Sequence, residues 1–449
     1  MQSGMRHLFA LLTLLAWSGT HPLFAEKPGD SAPLRGIVLV ISDGTSQELL
    51  TAARVYSQGV EGRLAIDDFP QTAFVRTYSL SDLVTDSSSA ATAMARGIKA
   101  DNKVVGQALP SSTSSPESLL DIAKKRGWST AVVTDDTVTG GTPSPFIVEH
   151  PERREEQFIA RKTVDRMGSR VDIVVGGGSK WFQDESARPE VSYRPGERKV
   201  VAETQAALAA SNTRFFTDWD AFAKYADGPV DDRPILATVT PDLFSYYADG
   251  LRTLRLRDLV EKTVQLLEKR GRPFLLVWEA SLPDKAVHRN NAKRAIIEVL
   301  EMDSTMDWLR KKIGSDTLIV ATTDHNNGGF SFNGYIPAQV KGDALLRRNP
   351  LTQAYPFTFA SGPGANFQAA NTRLRTVQNP GEAAKSVSET IPETDPEFVQ
   401  PALVEVSSAF HTGGDVWLIA QGPESGRFRG LIDNTDIFKI LADILRGNE

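Results

Sequence analysis

The sequence predicts an α/β fold in which helices cover both faces of a mainly parallel central sheet. Six short, continuously apolar runs are typical of strands that are buried on both faces. Helical stretches alternate with these runs, and this alternation is typical of parallel β/α architectures. The strands are expected at Gly36–Ile41, Ser129–Val133, Val171–Val175, Pro273–Val277, Thr317–Ala321 and Val416–Ala420.

Four helices are expected between or after these strands, because apolar residues recur there every three or four positions. They are Leu119–Lys125, Leu256–Lys269, Ala292–Ile313 and Asp436–Leu445. Two polar intervals, at about 180–235 and 331–405, interrupt the pattern. Since strands of the same sheet pattern precede and follow them, we expect surface insertions on a single domain that spans residues 26–449.

The composition is that of an ordinary globular protein and excludes some classes of partner. The net charge of −6 gives no reason to expect nucleic acid or an anionic membrane. The chain has no cysteine, so it forms no disulfide and carries no cysteine-linked lipid.

The first 25 residues have the pattern of an export signal. Arg6 and His7 precede the apolar run Leu8–Trp17, and the small residue Ala25 ends the segment. The run is shorter than the ~20 apolar residues that a membrane-spanning helix needs. We therefore expect residues 1–25 to be removed and the remainder to be periplasmic or secreted, with no membrane partner.

Three histidines stand in settings that suggest a metal site. His288 lies four residues after Asp284, His325 directly follows Asp324, and His411 lies in Ser-Ala-Phe-His-Thr-Gly-Gly. Imidazole with carboxylate is a ligand mix that zinc accepts where thiolates are absent. A surface ion pair or an ordinary polar strand end explains either pair alone, but the three settings together favour a shared metal site.

Acidic residues follow three of the predicted strands. Asp43 follows the first strand, Glu279 the fourth, and Asp324-His325 the fifth. Ligands of open α/β sheets bind beyond the carboxyl ends of the strands. The three strand ends therefore predict one common site.

A run of small residues around Ser87 is a second signal. Asp86 or Ser87 can cap a helix that continues through Met94, which would place a serine hydroxyl near free backbone N–H groups that suit phosphate. A helix of small residues packed tightly on a neighbour is the alternative. Serine is a weak nucleophile and needs a base or a metal. No histidine is close in sequence, which favours a metal.

These motifs occur in an order that resembles one enzyme family, the alkaline phosphatases, from Ile37 to the C-terminus. The matching segments are Val-Leu-Val-Ile-Ser-Asp-Gly around Asp43, Val-Thr-Asp-Ser-Ser-Ser-Ala-Ala-Thr around Ser87, Gly-Thr-Pro at Gly141–Pro143, Val-Asp-Ile-Val-Val-Gly-Gly-Gly, the Glu279…Asp284…His288 spacing, Thr-Thr-Asp-His-Asn-Asn-Gly-Gly-Phe, and His-Thr-Gly-Gly at His411. The resemblance implies a three-layer sandwich, a homodimer, and hydrolysis of phosphate monoesters through a phosphoseryl intermediate on Ser87.

The resemblance also implies three metal ions, two of zinc and one of magnesium. One zinc ion would be held by Asp284, His288 and His411, and the other by Asp43, Asp324 and His325. Magnesium would be held by Asp43, Thr142 and Glu279, an all-oxygen set that suits this cation. Two zinc ions can stabilise the entering and leaving oxygens of an in-line displacement.

The resemblance places a phosphate-binding arginine at Arg153, counted without a gap from Thr142. Arg154 takes its place if the loop carries a one-residue insertion. A guanidinium group suits bidentate phosphate binding. Asp86 would orient the arginine, and Lys285 would lie near the phosphate, as in some bacterial relatives.

One position departs from the family pattern and two other functions stay open. Many relatives carry Asp or His two residues before Thr142, where this chain has Gly140, so the magnesium site is the least secure. A phosphodiesterase of the same superfamily is the enzymatic alternative. A non-catalytic periplasmic protein that binds metal or phosphate is the alternative from another class. A sulfatase would need a Cys/Ser-x-Pro-x-Arg segment, which does not surround Ser87.

Overall fold

A computed structural model of the chain describes residues 34–183, 193–334, 336–377 and 385–447. The expected export signal, residues 1–25, lies outside the described residues, as does the expected start of the domain at residue 26. Within the described ranges, no helix combines the length and the apolar character that crossing a membrane requires.

The described residues form strands and helices that alternate over much of the chain, whereas several strands follow one another between β8 and β17. The strands are β1 (Gly36–Ser42), β2 (Gln71–Arg76), β3 (Ser129–Thr137), β4 (Ile173–Gly177), β5 (Arg214–Phe216), β6 (Ile235–Thr238), β7 (Phe274–Ala280), β8 (Thr317–Thr322), β9 (Asn326–Asn327), β10 (Ser331–Phe332), β11 (Phe357–Gly362), β12 (Thr372–Val377), β13 (Lys385–Thr390), β14 (Ala402–Glu405), β15 (His411–Thr412), β16 (Val416–Gln421) and β17 (Gly430–Asp433). The α-helices are α1 (Gln47–Gln58), α2 (Ser87–Arg96), α3 (Leu119–Lys125), α4 (Ser144–Ile147), α5 (Glu156–Arg166), α6 (Pro195–Ala210), α7 (Trp219–Asp227), α8 (Leu256–Arg270), α9 (Leu282–His288), α10 (Ala292–Lys312), α11 (Phe367–Ala370) and α12 (Asn434–Arg446).

The central sheet has ten strands in the order β17-β2-β16-β8-β1-β7-β3-β4-β6-β5. All neighbours in it are parallel except β16, which runs antiparallel to both β8 and β2. The prediction of a mainly parallel sheet in an α/β fold is therefore confirmed.

Alternate side chains of the buried strands pack on opposite faces of the sheet, because the side-chain period of a strand is two. Val38 and Val40 of β1 belong to an apolar core that α8 and α10 cover. Ile37 and Leu39 belong to a second core that α3 and α12 cover. Burial on both faces explains why these strands are continuously apolar.

Several strands extend further at their carboxyl ends than their apolar runs predict. β3 continues to Thr137, β7 to Ala280 and β8 to Thr322. The strand ladder persists there although the side chains change from apolar to polar. The apolar pattern ends where the residues of the candidate site begin.

The two intervals expected as insertions differ in how they fold. The first contains β5, which with β6 completes one edge of the central sheet, so part of this interval extends the sheet. The second contributes a small sheet, β10-β11-β14, and the hairpin β12-β13, both separate from the central sheet.

Candidate metal centre and active site

The candidate site lies at the carboxyl ends of four adjacent central strands, β8, β1, β7 and β3. The parallel register aligns Ile41 of β1 with Glu279 on β7 and with Thr322 on β8. It also aligns Glu279 with Thr134 on β3. Residues that are far apart in sequence therefore meet at one edge of the sheet.

Ser87 is the first residue of α2, and Asp86 caps this helix. One Asp86 carboxylate oxygen accepts a hydrogen bond from the backbone N–H of Ser89 at 3.0 Å. A hydroxyl at the first turn of a helix lies close to unpaired N–H groups and the positive end of the helix dipole. The Oγ atom of Ser87 lies 3.2 Å from Nε2 of His325.

The first donor set consists of Asp284, His288 and His411, whose potential ligand atoms all lie within 4.8 Å of one another. Nε2 of His288 is 3.3 Å from Asp284 and 3.2 Å from Nε2 of His411. On each ring, Nδ1 is hydrogen-bonded to a backbone carbonyl, of Ala409 at 2.7 Å and of Thr85 at 3.0 Å. These bonds fix the rings so that Nε2 faces the carboxylate, as in metal-ligating histidines.

The second donor set consists of Asp43, Asp324 and His325, which are all buried. Oδ1 of Asp43 and Oδ2 of Asp324 lie 3.6 Å and 3.2 Å from Nε2 of His325. Neither oxygen has a hydrogen-bond partner in the described part of the chain. Buried carboxylate oxygens without partners are costly unless a cation pairs with them. This set therefore fits a metal ion.

Asp284 also lies close to the second donor set. Asp43, Asp284 and His325 offer ligand atoms within 4.8 Å of one another. The two sets are therefore neighbours that share a carboxylate between them.

A third set of oxygen donors adjoins Asp43 on its other side. The hydroxyl of Thr142 donates to Oδ2 of Asp43 at 3.4 Å. The Thr134 hydroxyl donates to Glu279 in a short hydrogen bond. Burial, with the nearby charge of Asp136, raises the pKa of Glu279 to about 8. A cation at this place would favour the ionised carboxylate, and the oxygen donors suit a hard ion.

The electrostatics of the cluster favour bound cations. Burial, followed by the charges of Asp284 and Asp324, raises the pKa of Asp43 well above its ordinary value. Burial lowers the pKa of His325 and of His411 to about 4, so these rings are neutral and able to act as ligands. Although burial opposes it, the Asp284 carboxylate raises the pKa of His288.

Arg153 points into the site and Arg154 does not. Nη1 of Arg153 donates to Oδ2 of Asp86 at 3.0 Å, whereas the side chain of Arg154 is exposed. Although burial opposes it, Arg153 and the cap hydrogen bonds lower the pKa of Asp86 to about 2. Asp86 thus stays ionised beside the guanidinium group.

Lys103 supports the pair of Asp86 and Arg153 through its backbone. Its N–H donates to Oδ2 of Asp86 at 3.0 Å, and its carbonyl accepts from the N–H of Arg153 at 2.8 Å. The residue has a φ of 72°, which is uncommon for a residue other than glycine. The sequence pattern gave no sign of this role, because the contribution comes from the main chain.

Lys285 contacts a carboxylate that the sequence analysis missed. Its Nζ atom lies 3.1 Å from Oδ2 of Asp136 at the end of β3, and 3.8 Å from Asp284. Asp136 follows an apolar strand in the same way as the other acidic residues of the site. That placement was the available signal, since Asp136 lies beyond the expected end of this strand at Val133.

Comparison with known proteins identifies the family of the chain. The sequence model of the alkaline phosphatase family matches residues 34–446. The chain is 25% identical to alkaline phosphatase 4 of Bacillus subtilis, over 93% of this chain and 91% of the relative. It is 27% identical to the alkaline phosphatase of Gadus morhua, over 91% of each chain.

A solved structure shares the fold. The alkaline phosphatase of the Antarctic bacterium TAB5 superposes with a TM-score of 0.64 at 22% identity, over 93% of this chain and 100% of that chain. A mutant of the TAB5 enzyme was solved with Mg bound in its M3 site.

The fold and the matched family define the class as a metal-dependent phosphoric monoester hydrolase. Within that class, the chain belongs to the alkaline phosphatase family.

Proposed function

We propose that the protein hydrolyses phosphate monoesters to an alcohol and inorganic phosphate through a phosphoseryl intermediate on Ser87. The observation that carries this proposal is the position of the Ser87 hydroxyl, at a helix N-terminus and 3.2 Å from Nε2 of His325 in the second donor set. In the first step the Ser87 oxygen bonds to phosphorus and the P–O bond to the alcohol breaks. In the second step water displaces Ser87 and releases phosphate.

Arg153 is proposed to bind the equatorial phosphate oxygens in both steps. Its guanidinium group offers more donors than its bond to Asp86 uses, and Asp86 holds the group in one orientation at 3.0 Å. A guanidinium fork fixed in this way recognises phosphate by paired, charge-assisted hydrogen bonds. The N-terminus of α2 adds backbone N–H groups directed at the same anion.

We propose that two zinc ions and one magnesium ion complete the site. Asp284, His288 and His411 would hold one zinc ion, Asp43, Asp324 and His325 the other, and Asp43, Thr142 and Glu279 the magnesium ion. When bound, the ions would lower the pKa of hydroxyl groups and stabilise charge on the entering and leaving oxygens. The Mg-containing M3 site of the TAB5 mutant supports the assignment of a third site.

Replacement of Ser87 by alanine tests the mechanism directly. Ser87→Ala should lower kcat for p-nitrophenyl phosphate by at least about 1,000-fold, because no other residue replaces a nucleophile. Metal content, measured on the same preparation, should not change. Ser304→Ala, a serine on α10 whose hydroxyl bonds to Glu301, is the matched control and should keep the parent rate.

Three results would contradict the proposal. Undiminished hydrolysis by Ser87→Ala would show that the serine is not the nucleophile. Faster turnover of bis-p-nitrophenyl phosphate than of the monoester by the parent protein would favour a phosphodiesterase. Turnover of neither ester, with zinc and magnesium supplied, would favour the binding protein.

Export and a homodimeric state are further parts of the proposal. Export rests on the signal-like pattern of residues 1–25, and the dimer rests on the family resemblance. Fractionation of cells and the mass of the protein in solution test these two points.

A further inference from the structure

Gly140 has no side chain where the family resemblance implies a polar one, and a carboxylate from β3 lies beside it. Gly140 lies two residues before Thr142, at a position where the family resemblance implies Asp or His. A Cβ atom built on Gly140 would lie 3.5 Å from Oδ2 and 3.6 Å from Cγ of Asp136. The carboxylate of Asp136 therefore occupies the space beside Gly140, although it comes from β3.

Asp136 connects the end of β3 to the start of α9, the helix that carries two ligands of the first donor set. Its Oδ2 atom lies 3.1 Å from Nζ of Lys285 and accepts from the Ser281 hydroxyl at 3.1 Å. Ser281 precedes α9, and its backbone N–H donates to Asp135 at 2.7 Å. The two adjacent carboxylates thus hold the first turn of α9 against β3.

Asp136 also reaches the proposed magnesium ligands through β3. Its backbone N–H donates to the Thr134 hydroxyl at 2.9 Å, and that hydroxyl donates to Glu279. Asp136 is buried, and its carboxylate forms an ion pair with Lys285 at 3.1 Å. The main chain of Asp136 is therefore linked through Thr134 to Glu279, while its carboxylate pairs with Lys285.

Resting on the function proposed above, we propose that Asp136 is the positioning residue that replaces the side chain missing at Gly140. Its carboxylate fixes Lys285 and balances the charge of that lysine beside the magnesium site, so that this chain binds magnesium although position 140 is glycine. Partners of this kind, which orient metal ligands without touching the ion, change metal affinity by about 10- to 100-fold.

Isothermal titration of the zinc-loaded protein with Mg²⁺ tests the proposal without relying on activity. Asp136→Asn keeps the shape of the side chain and removes its charge. It should weaken Mg²⁺ binding about 10- to 100-fold and leave zinc content unchanged. Asp172→Asn is the matched control, because Asp172 is another buried carboxylate paired with a lysine, Lys124 at 2.7 Å, at the amino-terminal end of β4 and away from the site.

A second test of the role of Asp136 places a carboxylate at position 140. Gly140 has ordinary backbone geometry, and a Cβ there needs only a small shift against the carbonyl of Thr137 at 3.0 Å. Gly140→Asp should restore Mg²⁺ binding in the Asp136→Asn background. In the parent protein, Gly140→Asp should not increase the affinity for Mg²⁺, because two carboxylates would then repel each other in the same space.

The outcomes separate this proposal from the proposed function. Parent-like Mg²⁺ affinity in Asp136→Asn, or no recovery in the double variant, would overturn the role of Asp136 while Ser87-dependent hydrolysis still stood. If Asp136→Asn does not fold, the double variant is compared with Gly140→Asp alone. The proposal then requires the double variant to bind Mg²⁺ at least as tightly.

Discussion

Gly141 has no side chain, and this allows Arg153 to pack against its backbone in the proposed phosphate site. A Cβ atom at this position would lie 2.9 Å from Nε of Arg153 and closer still to Cζ. The guanidinium group therefore packs directly on the backbone of Gly141. Any larger residue has to displace Arg153 from its bond to Asp86.

Gly141→Ala should accordingly weaken inhibition by inorganic phosphate. Hydrogen bonds to charged groups contribute about 1.5–3 kcal/mol, so the loss of the arginine contacts should raise the inhibition constant about 10- to 100-fold. Gly228→Ala is the control, because a Cβ there meets only two carbonyl oxygens at 3.6 Å. An unchanged constant in Gly141→Ala would show that Arg153 does not contact phosphate.

The type and spacing of residues revealed much of the candidate site. Histidine is rare in this chain, so the pairs Asp284/His288 and Asp324-His325 were a clear indication of a metal site. Asp136 and Thr134 belong to common residue types, and their place in the candidate site depends on which strand lies next to β3. Sheet order is a long-range property that the local pattern does not contain.

Asp86, the N-cap residue of α2, has both a structural contact and a contact with the candidate site. Asp86 caps the helix through the N–H of Ser89 and also pairs with Arg153. The two tasks can be separated, because an asparagine keeps a capping oxygen but loses the charge.

Asp86→Asn should weaken phosphate binding while costing less unfolding free energy than Asp86→Ala, which also loses the cap, worth about 1 kcal/mol. Asp218 caps α7 through the N–H of Ala221 at 2.8 Å, away from the site. Asp218→Ala should therefore show the loss of stability without a change in phosphate binding. Equal phosphate inhibition in Asp86→Asn and the parent would contradict the pairing role.

At the level of elements, the buried strands in the middle of the central sheet were predictable, and the strands toward its two sides were not. β1, β7 and β8 are apolar on both faces, which gives a continuous pattern. β2 alternates between buried and more exposed residues, and β5 has only three residues. Such segments resemble loops, because little apolar surface marks them.

For the whole molecule, the proposed metal site would take the role that covalent cross-links have in other proteins. The chain has no cysteine, yet the proposed ligands join segments from residue 43 to residue 411. A ligand that binds only the folded state stabilises it, by about 2.7 kcal/mol when present at 100 times its Kd.

Chelation should therefore lower the unfolding temperature by several degrees. Differential scanning calorimetry with and without EDTA measures the shift, and added zinc and magnesium should reverse it. Ser87→Ala keeps every proposed ligand and should show the full shift, whereas His411→Ala should show a smaller one. A chelator that removed the metals without moving the transition would contradict a stabilising role.

The distance of His411 from Asp43 along the chain also determines when activity can arise during synthesis. His411 stacks on His325 with ring centroids 3.6 Å apart, so the donor sets are complete only after most of the chain has left the ribosome. A nascent chain that lacks its last segment holds the nucleophile but not the full set of ligands. On the proposed function, hydrolysis of phosphate esters can therefore begin only after His411 has been synthesised.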